Sequence, residues 1–445
     1  MQHQTHLPTR EEVVAAASRP MPAGFRTLSL ILAVVGLVIF LIGLFVNPDR
    51  VWQALHFNWL LFASVSSAAI AIVAVQRITT ARWSRPTIRF IEGFVAFMPV
   101  AFVLLLLLVL VGKNHVFPWT HHTPPVHEKQ LWFGPVFFPV RELVFFGVLT
   151  LLSCLLIRES LRLDLGVTPE FGASWARGFR ARLRRGYGDE KRELFTTHTR
   201  MGVISVWLVI FFGFFWCGMA WDMSMGLDMY FQSVLYGWWF FMGAWLGAMM
   251  AYALLAMWLR RQLHMEDLIL PEHFHDIGKL CFAFTAFWGY LTFGQYLVIW
   301  YGNLPEETHW MTLRLVSVWQ WVTVLVVFLV FVLPFFGLLA KSTKTYRPAL
   351  AFFAISSLVG LWLLRYMEVY PSLRPLSTTL PLGVWEVGVG IGVLGLWGLT
   401  YAAFMDAFPK VRVVLMSSPY RDLVQVPYDP RTMETLPAHE LPLED

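Results

Sequence analysis

The chain has 445 residues, 57% of them hydrophobic and only 14% charged, with 21 Trp, 38 Phe and a formal net charge of +5. Soluble globular domains carry roughly a quarter of charged residues, so this composition excludes that class and points to a lipid-embedded chain. Cys154, Cys217 and Cys281 stand apart, with no CxxC, CxxCH or four-cysteine pattern, so no iron–sulfur, structural zinc or c-type haem motif is encoded.

In chain order, a polar leader (1–25) precedes the first apolar run. It lacks a short apolar core with a small-residue cleavage site, which favours an ordinary first span over a signal peptide. Apolar runs follow near 26–46, 51–76, 87–112, 135–157, 200–221, 230–259, 276–301, 316–340, 348–370 and 384–408. Each is close to the roughly 20 residues that cross a bilayer as a helix. Barrel strands would alternate at every second residue, and these runs do not. The expected fold is therefore an all-α polytopic integral membrane protein of about ten transmembrane helices, spanning 26–408, with a tail over 409–445. Spans two to five and six to nine form two sets of four, which permits two four-helix bundles with spans one and ten at the flanks. Pro409, Pro419, Pro427, Pro430, Pro437 and Pro442 argue against a long helix in the tail.

Charge sets the expected orientation. Most of the 34 lysines and arginines fall on one side of the ten-span layout: in the leader, the second-to-third loop, the segment 158–200, the loops with Arg260, Arg261, Lys341, Lys344 and Arg347, and the tail. The opposite loops hold Arg50, Lys113, Lys129, Arg314 and Arg374. The positive-inside rule then places both termini in the cytoplasm. The long basic loop 158–198 interleaves Trp175 and Phe179 with Arg177, Arg180, Arg182, Arg184 and Arg185. That pattern suits an interfacial helix on anionic membrane lipids rather than a nucleic-acid site. The outer loop 113–134 carries His115, His121, His122 and His127 beside Pro118, Pro124 and Pro125. It reads as a rigid contact loop in preference to a metal site.

Ionisable residues fall into two layers. Near the outer ends are His56, Arg141, Glu142, Asp222, Asp228, Arg365, Glu368 and Glu386; near the inner ends are Glu92, His198, Arg200, His275, Asp276, Lys279 and Asp406. Between them lie neutral polar groups such as Ser64, Ser66, Ser67, Ser205, Gln320 and Ser357. Carboxylates and histidines exchange protons while hydroxyls and waters relay them, so two proton half-channels are one reading. Interhelical ion pairs that fix packing are the other. Residues His56, Glu92, Arg141, Glu142, Asp222, His275, Asp276, Lys279, Gln295, Arg365 and Glu368 are the candidate proton path. No histidines face each other at mid-span as haem ligands would. Aromatic stretches around Trp216–Met225, and Trp238, Trp239 with Tyr236, could frame a quinone headgroup.

The seventh span is the most distinctive. It opens on His273-Phe274-His275-Asp276-Ile277-Gly278-Lys279 and keeps Tyr290, Thr292 and Gln295 within the run. It leaves through Trp300-Tyr301-Gly302-Asn303-Leu304-Pro305-Glu306-Glu307-Thr308. Its polar residues read as the wall of an internal feature. The stretch from His275 to Thr308 resembles ActF, the second large polytopic subunit of bacterial alternative complex III, a quinol:electron-acceptor oxidoreductase related to NrfD-like membrane subunits. The resemblance extends more loosely over 26–408. It implies a bundle layout, a place in the bacterial cytoplasmic membrane, and no cofactor on this chain. Iron–sulfur clusters and c-type haems would belong to partners: a sister ActC-type subunit, an iron–sulfur subunit and c-type cytochrome subunits, with quinol drawn from the membrane quinone pool. Two rival expectations are a secondary transporter, with Pro99, Pro334 and the Gly388–Gly392 run as helix breaks, and a purely structural anchor.

Overall fold

The computed structural model describes residues 8–124, 127–168, 172–375 and 377–421. Helices dominate, with no strand among the described residues. Ten are long and apolar enough to cross a membrane: α1 (Ala23–Val46), α2 (Pro48–Ile78), α3 (Ile88–Leu110), α4 (Phe137–Val167), α5 (Glu190–Met223), α6 (Val234–Gln262), α7 (Pro271–Gly302), α8 (Trp319–Gly337), α9 (Arg347–Leu373) and α10 (Val384–Ala407). All ten expected spans are present. In lipid, a helix satisfies every backbone group internally, which is why continuous apolar runs take this form.

The helices pack as two four-membered rings. In the first, α2 meets α3 and α5, and α4 meets α3 and α5; in the second, α6 meets α7 and α9, while α8 meets α7 and α9. Helix α2 also touches α6, α9 and α10, so it lies at the junction of both rings and is 83% buried over its apolar window. Helices α1 and α10 form the flanking pair. Gly36 and Gly392 meet backbone to backbone; a Cβ on Gly36 would fall 2.1 Å from the Cα of Gly392. Small residues allow this approach, and van der Waals contact replaces the hydrophobic drive that lipid cannot supply.

Helix also forms outside the ten spans. The leader contains a helix, Arg10–Ala17, capped by Thr9 and Glu12. Much of the 158–198 loop is not loop: α4 continues to Val167 and α5 begins at Glu190, which shortens the connection to 168–189. Within it the helix Arg177–Arg184 buries Leu183 and Arg180 and exposes Phe179, as an interfacial helix does. Residues 1–7, 125–126, 169–171 and the tail prolines beyond Arg421 lie outside the described residues.

The seventh span is peripheral. Its buried positions Ile277, Cys281, Thr285, Trp288, Leu291, Gln295 and Ile299 recur every three or four residues on one stripe, and Tyr290 is 69% exposed on the opposite face. Gly388–Gly392 does not break α10, which is continuous and uses its glycines against α1. Departures from α geometry occur instead at a 3-10 turn, Gly93–Phe97, before Pro99 and at a π turn, Phe328–Val332, before Pro334. These fall in the second helix of one ring and the third of the other, so they are not a matched pair.

The segments around Arg10–Ala17, the α4–α5 turn and the stretch after α10 share one face. Arg10 pairs with Glu190 at 2.7 Å, Ala173 N–H donates to the Asp406 carbonyl at 3.0 Å, and Lys410 N–H donates to the Ala17 carbonyl at 3.3 Å. We call this the basic face and the other the neutral face.

Candidate functional site

Three buried charge clusters lie toward the neutral face. In the first ring, Arg141 of α4 reaches Asp222 of α5 through Nη2 at 2.8 Å and Nε at 3.0 Å. Trp132 Nε1–H donates to the second Asp222 oxygen at 2.5 Å, and the guanidinium lies 4.0 Å over the Trp132 ring. Glu142 is fully buried beside them, 3.4 Å from Arg141 Nε, and neither of its oxygens takes a well-formed hydrogen bond. One guanidinium thus faces two carboxyl groups. The trio is electrically balanced only when one acid carries a proton.

In the second ring, both Glu368 oxygens accept from Arg365 Nη1 at 2.7 Å. Arg365 donates onward to the Phe240 carbonyl at 2.9 Å and stacks 3.4 Å over the Phe240 ring. Arg314, from the short helix Pro305–Leu315, donates to the carbonyls of Met367 and Glu368, each at 3.0 Å. The third cluster joins Glu386 of α10 to Arg50 at 2.6 and 2.8 Å, to Tyr370 O–H at 2.8 Å and to Gly383 N–H at 2.8 Å. Every Glu386 lone pair has a use there, which marks it as a fastening.

Toward the basic face the first ring holds a second network. Arg89 of α3 bonds both Glu92 and Asp164, Ser160 O–H donates to Glu92 at 2.9 Å, and Val414 N–H donates to Asp164 at 3.0 Å. Arg412 stands 3.8 Å from Glu92. Two acids meet two guanidinia, so this network balances without an added proton.

Along α4, Glu142 and Ser160 are eighteen residues apart, about 27 Å at 1.5 Å per residue. Phe146, Leu149 and Leu156 of α4, with Trp59 and Trp216, fill the buried interior between. Ser66, Ser205 and Ser357 hydroxyls are buried without a partner among the described residues. Buried waters satisfy such groups where space allows.

The remaining sequence candidates scatter. His56 is fully buried on α2, its ring 5.4 Å from that of Phe117, with no side-chain hydrogen-bond partner among the described residues. Asp276 and Lys279 pair at 2.7 Å on the half-exposed start of α7, with His275 beside them, and join no buried network. Asp228 accepts from the N–H groups of Tyr230 and Phe231, capping a turn. His115 pairs with Asp49 and His121 with the Asn114 carbonyl, and among the described residues no three metal-ligating side chains converge.

Gln295 lines a cleft of about 370 Å³ between α6, α7, α8 and α9. Its floor combines Trp239, Trp288, Thr292, Arg314 and Glu368 with Gln295, and its mouth carries the exposed Phe293 and Tyr296. Trp239 Nε1–H donates to Thr292 Oγ1 at 2.9 Å, and Ser233 O–H donates to Gln295 Oε1 at 2.8 Å. Sequence reasoning missed Arg89, Asp164, Ser160, Arg314 and Tyr370, because their partners sit on other helices. The i,i+3 spacings of Arg89 with Glu92 and Arg365 with Glu368 were the available signal.

The fold and these clusters define a ten-helix polytopic membrane protein with buried acid–base networks. No family model matches the chain, and no curated protein matches it significantly.

Proposed function

We propose that this chain is a cofactor-free membrane subunit of a quinol-oxidising electron-transfer complex of the alternative complex III type, handling protons in its first helical ring. It resides in the bacterial cytoplasmic membrane with both termini in the cytoplasm, so the basic face is cytoplasmic. Partner subunits supply iron–sulfur clusters, c-type haems and the sister polytopic subunit, and they draw quinol from the membrane pool. The observation that carries the reading is the Arg141–Glu142–Asp222 trio, where two buried acids share one cation. A buried group that gains and loses a proton is a functional candidate within a membrane, and the Glu92–Asp164 network gives a second polar station on the opposite side.

The test has two parts. A tagged chain purified in mild detergent should bring c-type haem, non-haem iron and quinol oxidation with it. In that complex, Glu142→Gln should lower protons moved per electron while assembly and haem content stay intact. An unchanged proton ratio would leave a structural anchor; a chain that purifies alone and colourless would leave a secondary transporter.

The cleft between α6 and α9 favours a second role in the same complex, a resting place for quinone. It offers apolar walls for an isoprenoid tail and the Gln295 side-chain amide for a ring oxygen, the usual anatomy of ligand sites. Gln295→Leu should weaken quinone retention through purification, measured by extraction and chromatography; equal retention would dismiss this role.

A further inference from the structure

On the basic face, the end of α2, the turn after it, α5 and the segment after α10 close around a cavity of about 40 Å³. A water needs roughly 10–15 Å³ on this measure, so the space takes about three oxygen-sized positions. Gln76, Arg77, Thr80, Ser84, Arg85, His198 and Arg412 supply its polar lining, and no Asp or Glu lines it among the described residues.

The hydrogen bonds within this lining are unbalanced in one direction. Ser84 O–H donates to Gln76 Oε1 at 2.5 Å, which fixes the amide and leaves Nε2 as the free end. Gln76 Nε2, Arg77 Nε and Arg412 Nε are all buried without an acceptor among the described residues, although Gln76 and Arg412 are each only 6% exposed. Arg77 spends Nη2 on the His198 carbonyl, a neutral partner. The nearest carboxylate to Arg412 is Glu92, at 3.8 Å and already bonded to Arg89. Arg77 and Arg412 are also close enough for their charges to repel. Each unmet group is a donor, and Arg77 adds a positive charge that no carboxylate among the described residues pairs with. Buried donors without acceptors are costly, and one anion would satisfy them together.

We infer that this cavity binds a phosphate group, held by Gln76, Arg77 and Arg412. Three oxygen positions and charged donors match phosphate chemistry. The cavity sits where α2 leaves the apolar layer, at headgroup depth, so an anionic phospholipid can present its phosphate there; free phosphate offers the same oxygens. The inference stands independently of the electron-transfer reading.

Native mass spectrometry of the full chain, in detergent with an equal mixture of phosphatidylglycerol and phosphatidylcholine, tests it. One phosphatidylglycerol should be retained per chain, and both Arg77→Gln and Gln76→Leu should weaken that retention by about tenfold, the worth of one charge-assisted hydrogen bond. Arg77→Lys should keep part of it, and size-exclusion profiles report folding in each case. If inorganic phosphate raises the melting temperature of wild type but not of Gln76→Leu, and no lipid is retained, the same site takes the soluble anion. Retention that survives both substitutions overturns the inference. So does equal retention of both lipids with no response to phosphate, or binding that emerges only after residues 422–445 are removed, which would make the chain's own tail the occupant.

Discussion

At the scale of single residues, the buried carboxylates differ in how completely they are held. Glu386 is fixed by Arg50, Tyr370 and Gly383, whereas Glu142 shares one guanidinium with Asp222. Arg50→Ala should therefore destabilise the fold by about 3 kcal/mol, the low end for breaking a buried pair, because Arg50 is partly exposed. Detergent-melting curves would check it. Glu142→Gln should cost far less stability, since a neutral amide leaves Arg141 and Asp222 balanced. Lys410, beyond the last span, adds a pH effect. Burial holds its ammonium down at about 8, against the opposing pull of Asp406. The folded chain then sheds this proton near pH 8 and the unfolded chain nearer pH 10.5, so between those values the unfolded state binds more protons and stability rises with pH. The rise between pH 8 and 10 should be smaller in Lys410→Met; an identical rise would show that other groups carry it.

At the scale of elements, close helix contact does what ion pairs do elsewhere. Gly36→Val should force α1 from α10, costing about 1–3 kcal/mol as overpacking does, and a cysteine pair placed across that seam should lose its crosslink. The ten spans were legible in the sequence because lipid demands long apolar helices wherever the backbone crosses. Which face of each span turns inward was less legible. Tyr290 read as interior because polar groups avoid lipid, yet a tyrosine can face outward where its ring is tolerated. Arg314 read as a loop charge, but the helix Pro305–Leu315 folds it onto the α9 carbonyls. Of the proton-path candidates, Arg141 with Glu142 and Asp222, and Arg365 with Glu368, come together. The His275–Asp276–Lys279 set stays at the rim, because burying it would strand charges that the neighbouring helices do not answer.

At the scale of the whole molecule, the two faces differ in charge, and this makes orientation testable. A cysteine at Arg182 should resist a membrane-impermeant maleimide in intact cells and label after lysis, while one at His121 should label in both. The reverse pattern would turn the protein over and move the phosphate cavity to the outer leaflet. The two rings also differ in what they bury. Among the described residues, the first carries buried charge networks toward both faces, whereas the second carries one network and an open cleft.

The central position of α2 has a consequence for how the protein is made. Asn58 donates to the Glu386 carbonyl and accepts from Trp362, partners 328 and 304 residues further along the chain. At 5–20 residues per second those partners emerge roughly 15–60 s after α2 enters the bilayer. During that wait Gln53, His56, Asn58 and three serines of α2, all buried in the finished fold, have only early neighbours to shield them from lipid. The second of the ten spans is thus among the last completed, so late truncations should expose it to quality-control proteolysis although every residue of α2 itself is intact.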